Sequence, residues 1–486
     1  LEGCRRDAAQ RRVGPDTEAA MSSVAAIQAT PTEVSPQDAW LIKFHITASI
    51  VWLVIGMLGG TLMGYRLTSP AAAEFLGSTA ELSFGRIRMF HTHSVIFGWL
   101  TNGFLAFSYY AIPRLTGRKL WLSKLARINA PLVQIALVIG GSAILTGHAQ
   151  AVEHTEAPWY ADAAFALCFV VSLLCCVGTI LRSGVRNMYV SLWYLVLGFV
   201  FTALNFVMAN TIVAFVAPGA AGASLAGLWI HNAVGLWVTP MGSAIIYYLL
   251  PVTLRKPIAS HKLSLLGFWT LAFFYPLGGS HHYFYSPVPW WLQMLAVPLT
   301  FSLIFVVYSV VYNFFATMKG QWKQITHNIP LRWLAFGIFN YITTCTQGPF
   351  HALLSVQQVI HFTDWVVAHA HLALFGVFSW WLYAFSYWVW PKLTGRGYSK
   401  ALAEWHFWIT FLSFWVLYYI PDTIAGLMQG FFWLTTLPLQ DSLEAAMPFW
   451  ITRAISGVLL VAGTTIYVIN LFFVKQAKHG LEVAGE

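Results

Sequence analysis

Apolar runs of about twenty residues or more, separated by short polar connections, recur along most of the chain. A helix needs about 20 residues to cross a bilayer core. Twelve stretches reach that length: 40–65, 87–113, 128–147, 160–181, 189–216, 226–251, 263–281, 290–318, 330–356, 363–391, 404–430 and 448–474. The pattern predicts an all-α integral membrane protein of about twelve transmembrane helices. No linker divides residues 39–476, which read as one domain. Residues 1–38 are polar, carry the pairs Arg5–Arg6 and Arg11–Arg12, and read as a disordered extension on the cytoplasmic side; 477–486 read as a cytoplasmic tail.

Composition sharpens this picture. The 486 residues are 58% apolar, 16% aromatic and only 9% charged, where a soluble protein carries roughly 25% charged residues. Single soluble cores stop growing at about 250–300 residues, so a soluble enzyme, a disordered chain and a nucleic-acid binder are all excluded. The net charge of +9 then reads as a topology signal. With the N-terminus in the cytoplasm, the even-numbered loops hold Arg114, Arg118, Lys119, Lys124 and Arg127, then Arg182 and Arg186, and the bias continues through every later loop. Outer loops hold only Arg66, Arg86, Arg88 and Arg453. The positive-inside rule therefore predicts both termini in the cytoplasm. The five cysteines form no CxxCH pattern, so no haem is attached covalently to this chain.

This topology gathers the histidines. His91 opens the second span, His231 lies near the start of the sixth, His281 and His282 end the seventh, and His369 and His371 lie in the first third of the tenth. All six fall in the outer part of the membrane. Ionisable groups inside a bilayer are costly and face the bundle interior or a cavity, which marks them as functional candidates. A lone histidine is more often a neutral ring bonded to a neighbouring helix; six at one depth are not explained that way. His369 and His371 project about 200° apart around a helix, so they can serve two metals but cannot chelate one. Two haems flanking one helix fit that geometry, with His91 as the opposite axial ligand of one of them. His281 and His282 can converge with His231 on a single ion, and three imidazoles suit copper. A haem closed by two histidines transfers electrons, whereas an iron with one axial histidine keeps a position for substrate.

At these residues the sequence resembles the catalytic subunit of haem–copper oxidases, and within them the cbb3-type cytochrome c oxidase, over residues 45–475. The matching runs are RIRMFHTHSVIFGW at 86–99, EHTEAPW at 153–159, HNAVG at 231–235, GGSHHYFYSPVPWW at 278–291 and DWVVAHAH at 364–371. The resemblance implies His91 and His371 as the axial pair of a low-spin haem b, His369 as the proximal ligand of a high-spin haem b, and His231, His281 and His282 as copper ligands. It implies Tyr275 as the active-site tyrosine, which the family crosslinks to the copper-binding histidine of the neighbouring helix, here His231. Breaking the O–O bond in one step takes four electrons, and a phenol can supply the fourth together with its proton.

Other positions carry weaker signals. Arg86, Arg88 and Arg453 are outer cations that can pair with haem propionates or anchor at headgroups. Glu153 and Glu156 match acidic residues that help bind calcium in the family, although the basic residue that usually precedes them is Val152 here. Thr239, Ser264, Thr270 and Tyr275 can line a proton path, or the hydroxyls can bond back to their own helices. His93 stands where the family commonly has Asn and reads as a helix contact. Gln347 stands where the family carries Glu; an amide keeps the hydrogen bonds but cannot titrate, so proton uptake is expected to follow another route.

The expected function is that of a terminal oxidase in the cell inner membrane, surrounded by lipid. It reduces dioxygen to water with electrons from membrane-bound cytochrome c subunits and couples this to proton translocation. Two alternatives stand beside it. A nitric oxide reductase on the same scaffold carries iron in place of copper and usually a carboxylate at that metal. A twelve-span transporter without redox chemistry would place substrate groups near the bilayer midplane.

Overall fold

The computed structural model describes residues 34–474. Twelve long helices make up the fold: α1 Pro36–Arg66, α2 Phe84–Thr116, α3 Ser123–Leu145, α4 Trp159–Ser183, α5 Val190–Val216, α6 Gly219–Leu254, α7 His261–Tyr283, α8 Trp290–Met318, α9 Ile329–His351, α10 Asp364–Thr394, α11 Lys400–Trp433 and α12 Leu439–Phe472. No strand occurs among the described residues. Eleven of the twelve are apolar enough to cross a membrane, and the chain is a multi-span membrane protein. The exception, α9, is 23 residues long but carries Asn340, Thr343, Thr344, Thr346 and Gln347 through its second half. Asn340 and Thr344 are buried inside the bundle, while Phe339 and Phe350 of the same helix stay exposed.

Helix ends follow local chemistry. Ser35 caps α1, its hydroxyl oxygen accepting from the Asp38 amide at 3.1 Å, and Pro36 takes the first helical position, where a missing N–H costs nothing. The helix therefore starts three residues before the domain boundary expected at 39. The remainder of the expected extension, residues 1–33, and the tail 477–486 lie outside the described residues. Asn328 caps α9 in the same way, through the Leu331 amide at 3.0 Å. The run expected as one span over 330–356 breaks at His351, and a short helix, Leu354–Ile360, follows. At the other end of the chain α12 begins at Leu439, ahead of the expected 448.

Consecutive helices pack side by side around the bundle, and α12 returns to α1 to close it. α2, α6 and α10 also touch one another across the middle, and α2 and α6 are the most enclosed helices. In lipid, helix association rests on close packing and interhelical hydrogen bonds rather than on the hydrophobic effect. The interior accordingly holds interlocked aromatics such as Trp333, Trp380, Trp381 and Tyr383, each fully buried, while Leu181, Phe215 and Phe273 face outward.

The three central helices share a local irregularity. α2 is π-helical over Ser94–Leu100, α6 over Ala233–Val238 and α10 over Leu372–Ser379. Each wide turn comes within two residues of a histidine: His93, His231 and His371. π-bulges insert an extra residue per turn and recur at functional sites. α11 has one too, over Ser413–Tyr419.

Candidate metal centre

His231, His281 and His282 meet. One ring nitrogen from each lies within 4.8 Å of those of the other two, and the group contains no carboxylate or thiolate. Ring centroids are 4.6 Å apart for His231–His281, 5.7 Å for His231–His282 and 4.5 Å for His281–His282. His281 Nδ1–H donates to Thr300 Oγ1 at 2.8 Å when that nitrogen carries the ring proton, which frees its Nε2. His231 Nε2 is buried and has no hydrogen-bond partner. A buried polar atom left unsatisfied is costly, and an ion between the three rings would satisfy it. All-nitrogen donors of this softness fit copper.

The end of α7 brings Tyr275 into this group. Over Tyr275–Tyr283 the helix tightens to 3₁₀ geometry, with about three residues per turn and a rise near 2.0 Å. Tyr275, Gly278 and His281 therefore share one face, with Tyr275 about 12 Å below His281 along the axis rather than the roughly 9 Å of an α-helix. The Tyr275 ring stacks on His231 at 3.9 Å between centroids and 15° between planes. Gly235 makes room for it: a Cβ there would sit 1.6 Å from the Tyr275 ring. Trp229 Nε1 donates to the Glu153 carbonyl at 2.8 Å, which ties the outer loop to α6 two residues before His231.

His91 and His371 face each other, 6.0 Å between ring centroids and 22° between planes. Each is held by its Nδ1 side. His91 Nδ1 bonds to the Gly56 carbonyl at 2.7 Å, and His371 Nδ1 lies 2.9 Å from both the Val367 carbonyl and the Tyr418 hydroxyl. That arrangement fixes the tautomer and leaves both Nε2 atoms available to a metal. His369 turns toward α9 instead. Its Nδ1 lies 3.1 Å from Gln347 Oε1 and 3.4 Å from Thr344 Oγ1. The Gln347 amide donates onward to the Tyr419 hydroxyl at 2.6 Å.

Arg86, Arg88 and Arg453 are engaged by protein groups. Arg86 donates to the Leu145 carbonyl at 3.0 Å. Arg88 pairs with Glu153 and lies 3.5 Å from Glu156. Burial opposes the charge of Glu153, but His154 and Arg88 outweigh it and hold the carboxyl below the usual range. Glu156 is pushed the other way by its deeper burial. Arg453 lies nearer the paired histidines, its guanidinium 5.5 Å from the Tyr418 ring centre. Ser264 donates to the His261 carbonyl and Thr270 to the Leu266 carbonyl, both at 2.7 Å. These two hydroxyls donate back to their own helix. His93 Nε2 bonds to the Leu137 carbonyl of α3 at 2.9 Å.

Several neighbours escaped sequence reasoning. His351 stands against His369, 4.3 Å between centroids, and its Nε2 accepts from Trp365 Nε1–H at 2.5 Å. Thr300, Tyr418 and Tyr419 were likewise not anticipated. A buried histidine at the end of a polar span, like the six others, was the available signal for His351; the hydroxyls sit on helices that carry no histidine of the site.

The family described as Cytochrome C and Quinol oxidase polypeptide I matches residues 40–459. A relative from Bradyrhizobium diazoefficiens, named cytochrome c oxidase subunit 1 homolog, bacteroid, is 30% identical over 89% of this chain and 81% of its own. A Stutzerimonas stutzeri relative, named cbb3-type cytochrome c oxidase subunit CcoN1, is 28% identical over 90% of this chain and 95% of its own. Among solved structures, one described as a heme-copper terminal oxidase dimer superposes with a TM-score of 0.75 at 16% identity, covering 90% of this chain and 84% of that one. That likeness supports the fold.

Proposed function

The chain belongs to the Cytochrome C and Quinol oxidase polypeptide I family, and from that premise we propose that it is the catalytic subunit of a cbb3-type terminal oxidase. In this reading residues 39–476 form one catalytic domain that reduces dioxygen to water with electrons from cytochrome c subunits and couples the reaction to proton translocation. The family implies haem and copper. His91 and His371 would hold a low-spin haem b, His369 a high-spin haem b, and His231, His281 and His282 a copper ion. Bound there, these groups supply electron transfer and dioxygen binding.

The chain's own residues do the rest. Thr300 orients His281, and Gly56 and Val367 orient His91 and His371 through their carbonyls. Tyr275, packed on His231, is placed to give up its hydroxyl proton and one electron. Gln347 orients His369 without titrating, so protons reach the site by a path that does not use a carboxylate there. Arg86 and Arg88 remain candidates to steady propionates. Calcium at Glu153 and Glu156 would have to displace Arg88. The loop charges argue for an inner-membrane protein with cytoplasmic termini, lipid around the bundle and the metals toward the outer side.

One observation carries the reading: three histidine nitrogens converge with a tyrosine stacked on one of them and no acid in the group. Metal analysis and a reduced-minus-oxidised spectrum of purified protein test it, together with oxygen uptake against nitric oxide consumption. Two b-type haems, one copper and oxygen uptake are expected. Extra iron in place of copper, with nitric oxide consumption, would make it a nitric oxide reductase; protein without haem would end both readings and leave a transporter.

A further inference from the structure

Behind His371 lies a buried charged group that the proposed chemistry leaves unused. Asp422, on α11 one turn beyond Tyr418, has 0% exposure. Its Oδ1 is 3.3 Å from Arg453 Nη1, and the same nitrogen lies 3.4 Å from Asp364 Oδ1. Asp364 Oδ2 is already served, accepting from Gln429 Nε2 and Trp450 Nε1 at 2.7 Å each. Asp422 Oδ2 is buried with no hydrogen-bond partner. Two carboxylates thus share one guanidinium, and one carboxylate oxygen wants a donor.

Counting hydrogens identifies that donor. With Nε2 of His371 given to iron, Nδ1 keeps the ring's single N–H. Its two neighbours at 2.9 Å, the Val367 carbonyl and the Tyr418 hydroxyl, both act as acceptors. The hydroxyl's own hydrogen is then left for another partner, and Asp422, four residues on along the same helix, is the buried acceptor within reach.

We infer that Asp422, acting through the Tyr418 hydroxyl, lowers the reduction potential of the haem held by His91 and His371. A carboxylate that accepts from Tyr418 makes the phenol oxygen a stronger acceptor for the imidazole N–H. The ring becomes a stronger electron donor to its metal, which favours the oxidised state. Low local dielectric keeps the effect from being screened. Tyr418 and Asp422 are positioning residues, since they would act on the haem through His371. The inference rests on the axial assignment of His91 and His371.

Spectroelectrochemical titration of the purified, haem-loaded protein tests it. Asp422→Asn should raise the low-spin midpoint by at least a tenfold change in its one-electron equilibrium, about 59 mV, with the band intensity kept. Tyr418→Phe, which leaves all three charges in place, should move the midpoint in the same direction. In the Tyr418→Phe background, Asp422→Asn should add only a minor part of its single effect, and Asp422→Glu should stay close to the parent. An unchanged midpoint in either single variant overturns the inference, as does a full Asp422→Asn shift that persists without the hydroxyl. If the Asn variant does not assemble, Tyr418→Phe alone decides. A parent protein with no low-spin band would instead remove the haem assignment itself.

Discussion

His369 and His371 are two residues apart on α10, yet they are backed by different kinds of partner. Behind His371 stands a phenol next to Asp422, Arg453 and Asp364, all but enclosed. Behind His369 stands a neutral amide and then another phenol, Gln347 and Tyr419. Tyr418 and Tyr419 are adjacent in the π-helical segment of α11, so one wide turn reaches both sides of α10. The contrast teaches that the residue type of a ligand does not fix its electronic role. By the inference above, a charge two hydrogen bonds away tunes it, and such a charge stands on one side only.

The most severe break in that comparison removes a ligand. His371→Ala should abolish the low-spin haem signal and leave copper in place, while His281→Ala should remove copper and leave that signal largely intact. Metal analysis and optical spectra on the two variants check this; copper at full occupancy in the His281 variant would refute the ligand set. Tyr275→Phe should come next, with near-total loss of oxygen turnover while both haem signals persist. Gly235→Ala reaches the same residue from the other side. Its Cβ would collide with the Tyr275 ring, and overpacking of this kind costs about 1–3 kcal/mol. Turnover should fall with a lowered melting temperature, and normal turnover would show that the stacked position of Tyr275 is not needed.

A milder change sharpens the comparison by making its two sides alike. Gln347→Glu would put an acid beside His369, as Asp422 is beside Tyr418, and should lower the high-spin midpoint while leaving the low-spin one unmoved. Gln347→Leu would strand the Tyr419 hydroxyl and cost about 1 kcal/mol of stability, readable as a small fall in melting temperature. Equal shifts at both haems after Gln347→Glu would mean that the two sides are not electrically separate.

Much of this was legible in the sequence because an imidazole inside an apolar run is costly unless it meets a metal or a hydrogen-bonding partner. The helix count, the meeting of His231, His281 and His282 and the divergence of His369 from His371 needed only span order and helix geometry. Register was harder. An α-helical ruler misplaces Tyr275 against His281, because Pro276, Gly278 and Gly279 tighten that turn to 3₁₀, and no periodicity announces the π turns after the histidines. Of the partners behind the rings only Gln347 was legible, and that through the resemblance. Tyr418 reaches His371 across 47 residues of chain, and a tyrosine in an aromatic-rich helix looks like packing until a fold sets it against an imidazole. For Ser264 and Thr270 the sequence left a path and back-bonding both open, and their hydroxyls do donate to their own helix.

The smallest predicted effect comes from the wetted counterpart of the Arg453 group. Arg88 and Glu153 form an ion pair like Arg453 and Asp422, but both side chains are about two-fifths exposed, at 43% and 40%, so solvent screens it. Glu153 is nevertheless held below the usual carboxylate range, with His154 and Arg88 prevailing over burial. A carboxyl whose folded value is depressed adds stability above its unfolded value, and that stability is lost as pH falls through the folded one. Arg88→Gln should therefore lift the Glu153 value toward its unfolded one and remove part of the stability held above about pH 5, where carboxylates are ionised. Melting temperature followed against pH should show a modest drop near neutrality that fades on the acid limb, where Glu153 is protonated in both proteins. A difference that persists undiminished on the acid limb would mean that Arg88 supports the loop by packing rather than by charge.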